Sequence, residues 1–140
     1  MTYDKSLGGN TIVLAKGATL EYTGTGSMIQ ATDKVYGAAS SKIKATNSNK
    51  NIVVEGELYA SWEGQGEEDI LHGGFGAVES KVNPTQNITF KSGAKAYIDG
   101  SIRAKNLTIE DGAVVTATRN ILNITFKSGA KAYIDGSIRA

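Results

Sequence analysis

Residues 87–104 read NITFKSGAKAYIDGSIRA, and residues 123–140 repeat the same eighteen letters. Between them, residues 106–121 read NLTIEDGAVVTATRNI, a related unit with different letters. A unit this short cannot bury its own apolar side. Copies at this period have to stack on one another, which is the logic of a solenoid.

Aligning the three units assigns a task to each position. Ile88 and Phe90 alternate with Thr89 and Lys91, as do Leu107 and Ile109 with Thr108 and Glu110, and Ile124 and Phe126 with Thr125 and Lys127. Alternation with period two is the pattern of a half-buried strand, not of a helix. Each strand runs into a glycine corner, Ser92-Gly93, Asp111-Gly112 or Ser128-Gly129, where glycine accepts the positive φ of a tight turn. A second strand follows with Ala94, Ala96 and Ile98 inward, matched by Ala113, Val115 and Ala117 and by Ala130, Ala132 and Ile134. After a second corner at Asp99-Gly100 or Asp135-Gly136, a third short strand carries Ile102 and Ala104, echoed by Ile121 and by Ile138 and Ala140. Three strands and three corners make one turn of a parallel β-helix.

The expected fold is therefore all-β: a single-stranded parallel β-helix with about 18 residues per coil and roughly seven coils. Residues 1–60 hold diverged coils, 61–84 an irregular loop insertion, and 85–140 the regular coils, all in one domain of 140 residues. In the diverged part, Ile12–Leu14 and Ala18–Leu20 match the first and second strands. Asn51–Val54 reads as a coil start. Met28–Ala31, Lys42–Ala45 and Glu57–Ala60 match the third-strand ending.

Composition agrees with this architecture and excludes several functions. Glycine is abundant at 17 residues, proline occurs once and cysteine is absent, so no disulfide contributes. A formal charge of +1 gives no general attraction for nucleic acid or an acidic membrane. No apolar run is long enough to span a bilayer as a helix, and the opening MTYDKSLGGN lacks the apolar core of a secretion signal.

Asn87, Asn106 and Asn123 open equivalent coils and also head Asn-x-Thr sequons. Their shared register favours a stacked amide ladder over glycan acceptance. Lys91, Glu110 and Lys127 fall in one outward column, where alternating sign disfavours a slip by one coil. Tyr97 and Tyr133 also point outward, two coils apart. With Arg103 and Arg139 they make a candidate contact strip for a glycan or a second rod, the plainer reading being tyrosine at home on a strand surface.

Between Trp62 and Pro84 the alternation stops. Glu63, Glu67, Glu68 and Asp69 crowd among Gly64, Gly66, Gly73, Gly74 and Gly76. These carboxylates follow no EF-hand or nonapeptide calcium spacing, so no metal or other cofactor is expected, and a solvated acidic loop is the simpler account. Trp62, Glu67, Glu68 and Asp69 are the candidate contacts within it. Trp62 either stacks on sugar or pins the loop to the rod. His72 is the only histidine, no GxSxG occurs, and nothing localises a nucleophile.

The units NLTIEDGAVVTATRNI and ITFKSGAKAYIDGSIRA resemble coils of right-handed parallel β-helices in bacterial surface and secreted proteins, including adhesins of the filamentous-haemagglutinin type. GSIRA and NLTIEDGAVV also resemble bactofilins, cytoskeletal β-helix polymers. Polysaccharide lyases and phage tailspikes share such a fold. In lyases, unique acidic and basic residues cluster on adjacent coils, whereas Asp99, Asp135, Arg103 and Arg139 recur here as copies. The resemblance implies a non-catalytic scaffold, a natural or engineered segment of a surface or filament protein that self-associates through its terminal coils. The alternative is a glycan-binding adhesin or tail-fibre module, with a carbohydrate-active enzyme behind both. It further implies an extracellular or cell-surface location, or a cytoplasmic filament, without nucleic acid or membrane insertion.

Overall fold

The computed structural model describes residues 2–3, 11–15, 18–37, 42–46, 50–60, 87–99, 104–118, 121–122, 124–134 and 138–139. The insertion between Trp62 and Pro84, Arg103 and Asn123 lie outside them.

The described residues form strands and no helix. In chain order the strands are β1 (Thr2–Tyr3), β2 (Thr11–Leu14), β3 (Thr19–Tyr22), β4 (Lys34–Gly37), β5 (Lys42–Ala45), β6 (Asn51–Val54), β7 (Glu57–Ala60) and β8 (Asn87–Phe90). There follow β9 (Lys95–Ile98), β10 (Asn106–Ile109), β11 (Val114–Ala117), β12 (Ile121–Leu122), β13 (Ile124–Phe126), β14 (Lys131–Ile134) and β15 (Ile138–Arg139). The largest sheet has six strands in the order β14-β11-β9-β7-β4-β2, and a second has four, β13-β10-β8-β6. A three-stranded sheet, β1-β3-β5, and a pair, β12-β15, complete the set. The strand pairings are parallel throughout, and chain neighbours fall in different sheets, an arrangement compatible with a β-solenoid.

The regular half matches the sequence reading. Ile88, Phe90, Ala94, Ala96, Ile98, Leu107, Ile109, Ala113, Val115 and Ala117 are buried. Their outward neighbours alternate with them, as in the pattern of β9. The corners at Lys91–Ala94, Glu110–Ala113 and Lys127–Ala130 each close with a bond from the fourth residue's N–H to the first residue's C=O, 2.9, 3.1 and 3.0 Å long. Gly93, Gly112 and Gly129 occupy the third turn position with φ of 87°, 83° and 81°, the requirement of a type II turn. The corners also stack: Ser92 Oγ donates to the Asp111 carbonyl at 2.5 Å.

The amide ladder forms. Asn87 Nδ2 donates to Asn51 Oδ1 at 2.9 Å, and Asn106 Nδ2 donates to Asn87 Oδ1 at 3.0 Å. The ladder therefore reaches one coil further towards the N-terminus than the three sequons. It also ties into the stack the side-chain nitrogens of Asn87 and Asn106, the atoms to which a glycan would attach.

The diverged half corrects the reading in three places. Ile12–Leu14 pairs with Val35–Gly37, placing it on the face of the second strands, and Thr19–Tyr22 moves one face further along. Glu57–Ala60 is not a third strand: it pairs with Lys95–Ile98 as a second strand. Met28 and Ile29 belong beside β6, through the Ile29–Val54 bridge. Lys42–Ala45 and Asn51–Val54 keep their expected places.

The reason lies between β6 and β7. Only Glu55 and Gly56 separate these strands, in place of the four-residue corner of later coils. A Cβ on Gly56 would collide with the carbonyl oxygens of Gln30 and Asp33, so the backbones there approach too closely for any side chain. Asp33 is buried and ties this corner down. Its Oδ2 accepts from the Gln30 N–H at 2.9 Å, and its carbonyl accepts from the Glu57 N–H at 3.0 Å. The buried carboxylate is thereby hydrogen-bonded, as burial demands.

The two verbatim copies form an internal control. Ile88, Ala94, Ala96 and Ile98 are buried, whereas their twins Ile124, Ala130, Ala132 and Ile134 are only half-buried. The letters are identical, so the difference comes from position: β8 and β9 have strands on both sides, β13 and β14 on one. Phe90→Ala is expected to cost about 3–5 kcal/mol, because the ring is fully enclosed. Ile98→Ala should cost about 2–5 kcal/mol and Ile134→Ala clearly less. Urea melts of the pair decide this; equal losses would mean that the twin environments are the same.

Candidate functional site

The outer face of the six-stranded sheet collects most of the exposed chemistry in the described residues. Because the strands are parallel and in register, each residue meets its counterpart one strand away, ~4.8 Å along the stack. Two rows result. The first strand positions bring Thr11, Lys34, Glu57, Lys95, Val114 and Lys131 into line. The third bring Val13, Tyr36, Tyr59, Tyr97, Thr116 and Tyr133 into line.

Tyr97 and Tyr133 are 47% and 59% exposed, which fits their expected outward pose, and Thr116 sits between them in register. The row extends to Tyr36 and Tyr59, which the sequence reading did not single out. A signal for them exists: KVYG, ELYA and the two copies of KAYI all read charge, apolar, tyrosine, apolar or small. Arg139 lies in β15, within the two-stranded sheet, so its backbone is not part of this strip. Arg103, Trp62, Glu67, Glu68 and Asp69 lie outside the described residues. The cations of the strip are lysines.

The centre of the strip is tightly coupled. The Tyr36 and Tyr59 rings stack with centroids 5.0 Å apart and planes within 9°. The Tyr59 hydroxyl donates to Glu57 Oε1 at 2.5 Å. Glu57 Oε2 also pairs with Lys34 Nζ at 3.5 Å. The hydrogen bond to Glu57, reinforced by burial and by the negative charge itself, pushes the Tyr59 phenol up to about 12. The same bond, with help from Lys34 and Lys95 and against burial, holds the Glu57 carboxyl below its ordinary range.

The expected charge pairing in the other column takes a different form. Lys91, Glu110 and Lys127 sit at equivalent corners, each one residue past its strand, their N–H groups bonded to the carbonyls of Val54, Phe90 and Ile109. The cross-strand ion pair lies instead at Lys34–Glu57. No group of three or more metal-binding side chains occurs among the described residues. No helix in them is long and apolar enough to cross a membrane. Comparison with protein-family models, curated proteins and solved structures finds no match.

The Tyr59 phenol should therefore titrate late. The Tyr59 bond contributes stability that is fully present below the ordinary phenol pKa near ~10. That contribution is lost as pH rises through about 12. Ultraviolet titration of the phenolate band should show a component near that value. Tyr59→Phe should remove it, and Glu57→Gln should move it back towards the ordinary phenol range. A late component that survives Tyr59→Phe would contradict the assignment.

Proposed function

We propose that this chain is a β-solenoid of about seven coils that serves as a non-catalytic scaffold, a segment of a surface or filament-forming protein joined to further copies through its coil ends. Six in-register strands in the largest sheet, with β1 ahead of them in another, support that coil number. The observation that carries the assembly is the contrast between the twin copies. Ile124, Ala132 and Ile134 are half-buried where Ile88, Ala96 and Ile98 are enclosed by a further coil. A coil of a second copy laid on β13 and β14 would bury them and pair the edge of β14 that has no partner strand among the described residues. At the other side of the sheet, β2 has one hydrogen-bonded neighbour among the described strands, β4. Stacking of β14 on β2 keeps all strands parallel and can continue, whereas a two-fold contact closes after two copies. An extracellular or cell-surface setting fits the adhesin-like coils, and a cytoplasmic filament fits the bactofilin-like ones.

A glycan-binding module is the second reading, favoured by the exposure of Tyr97 and Tyr133 beside a row of lysines. The stacked pair weighs against it, since Tyr36 and Tyr59 each cover one face of the other's ring and leave a sugar only the remaining one.

Sedimentation over rising concentration separates the two. Association should grow with concentration and weaken in Ala132→Pro, which removes an N–H from the edge strand at a position that alternates away from β11. A monomer at high micromolar concentration, together with glycan-array binding lost in Tyr97→Ala, would reject the scaffold in favour of the module.

A further inference from the structure

We propose that Tyr36 and Tyr59 form a site of oxidative modification, at which a peroxidase-type one-electron oxidant joins the two rings by a carbon–carbon bond and covalently staples β4 to β7.

Three observations converge on this pair. The rings lie on adjacent strands in register, with centroids 5.0 Å apart and planes within 9°. Tyr36 is 40% exposed, so a surface oxidant reaches it and its side chain has room to slide. Tyr59 hands its hydroxyl hydrogen to Glu57 Oε1 at 2.5 Å, so an acceptor for the phenol proton is already in place. Removing an electron from a phenol is easiest when its proton can leave in the same event. A carboxylate at hydrogen-bond distance supplies that path.

The chemistry balances as follows. Each phenol gives up one electron and one proton and becomes a phenoxyl radical. The Tyr59 proton passes to the Glu57 carboxylate, and the Tyr36 proton passes to water. The radicals combine at the carbons ortho to the hydroxyls, forming one carbon–carbon bond. The two ortho hydrogens then move as protons to the oxygens, and both phenols are restored. The pair has lost two hydrogens in all. Hydrogen peroxide, acting through the peroxidase, takes up the two electrons and two protons and leaves as two waters.

Among the other described tyrosine side chains, Tyr97 is in register with Tyr59 but outside the ring stack, and Thr116 stands between Tyr97 and Tyr133. Tyr22 is buried, with its hydroxyl donating to the Gly26 carbonyl at 2.9 Å. The Tyr36–Tyr59 link would close a loop across one full coil, from β4 round to β7, and so restrict the unfolded chain as a disulfide does.

The test treats the dilute protein with horseradish peroxidase and hydrogen peroxide. The expected product is a single chain on a denaturing gel, two hydrogens lighter, with dityrosine fluorescence and a cross-linked peptide joining Tyr36 to Tyr59. Tyr36→Phe and Tyr59→Phe should each abolish it, while Tyr97→Phe leaves it intact. Glu57→Gln should slow its formation by roughly tenfold or more. The cross-linked chain should melt on the order of 10 °C higher. No dityrosine, links confined to Tyr97 and Tyr133, or a product that survives Tyr36→Phe would overturn the proposal. An unchanged rate in Glu57→Gln would overturn the role given to the carboxylate.

Discussion

The structure depends on one constraint: parallel strands in register set every residue against its own counterpart on the next strand. In such a ladder a favourable pair is repeated and so is an unfavourable one. Amides profit from this, because each asparagine can both donate to one neighbour and accept from the other. The run from Asn51 through Asn87 to Asn106 does so. Charges do not profit, because like charges in one column repel. Glu57 accordingly stands between Lys34 and Lys95.

The same constraint explains why the two identical copies are not adjacent. The intervening coil places Val114 between Lys95 and Lys131, and Thr116 between Tyr97 and Tyr133. In the neighbouring sheet it places Ile109 between Phe90 and Phe126. Copies laid directly on each other would set lysine against lysine. A spacer coil that keeps the apolar alternation but changes the letters relieves this. It does so without disturbing the glycine corners that hold the spacing.

Most of the regular half was legible in the sequence because its coils are closely similar in length and carry their corners in plain sight. Alternation named the inward residues, and the repeated Ser-Gly and Asp-Gly pairs named the turns. Residues 11–60 were harder. Successive strands of the large sheet begin at Thr11, Lys34 and Glu57, a longer step than in the later coils, and most of the corner signals are gone. Glu57–Ala60 has the letters of a third strand but the partners of a second. Local sequence could not decide this, because the close backbone approach at Gly56 decides it. Tyr59 was missed for the same reason, its strand being read on the wrong face, and Tyr36 because Lys34–Gly37 was not read as a strand.

Cross-strand nuclear Overhauser effects on isotopically labelled protein test the register most directly. The account predicts parallel-strand contacts that set Ala96 beside Val115 and Tyr97 beside Thr116 on one side of the spacer coil. On the other side it predicts Val115 beside Ala132 and Thr116 beside Tyr133. Antiparallel contacts, or a slip by one residue that put Tyr97 beside Val115, would contradict it, since every row described above would then dissolve.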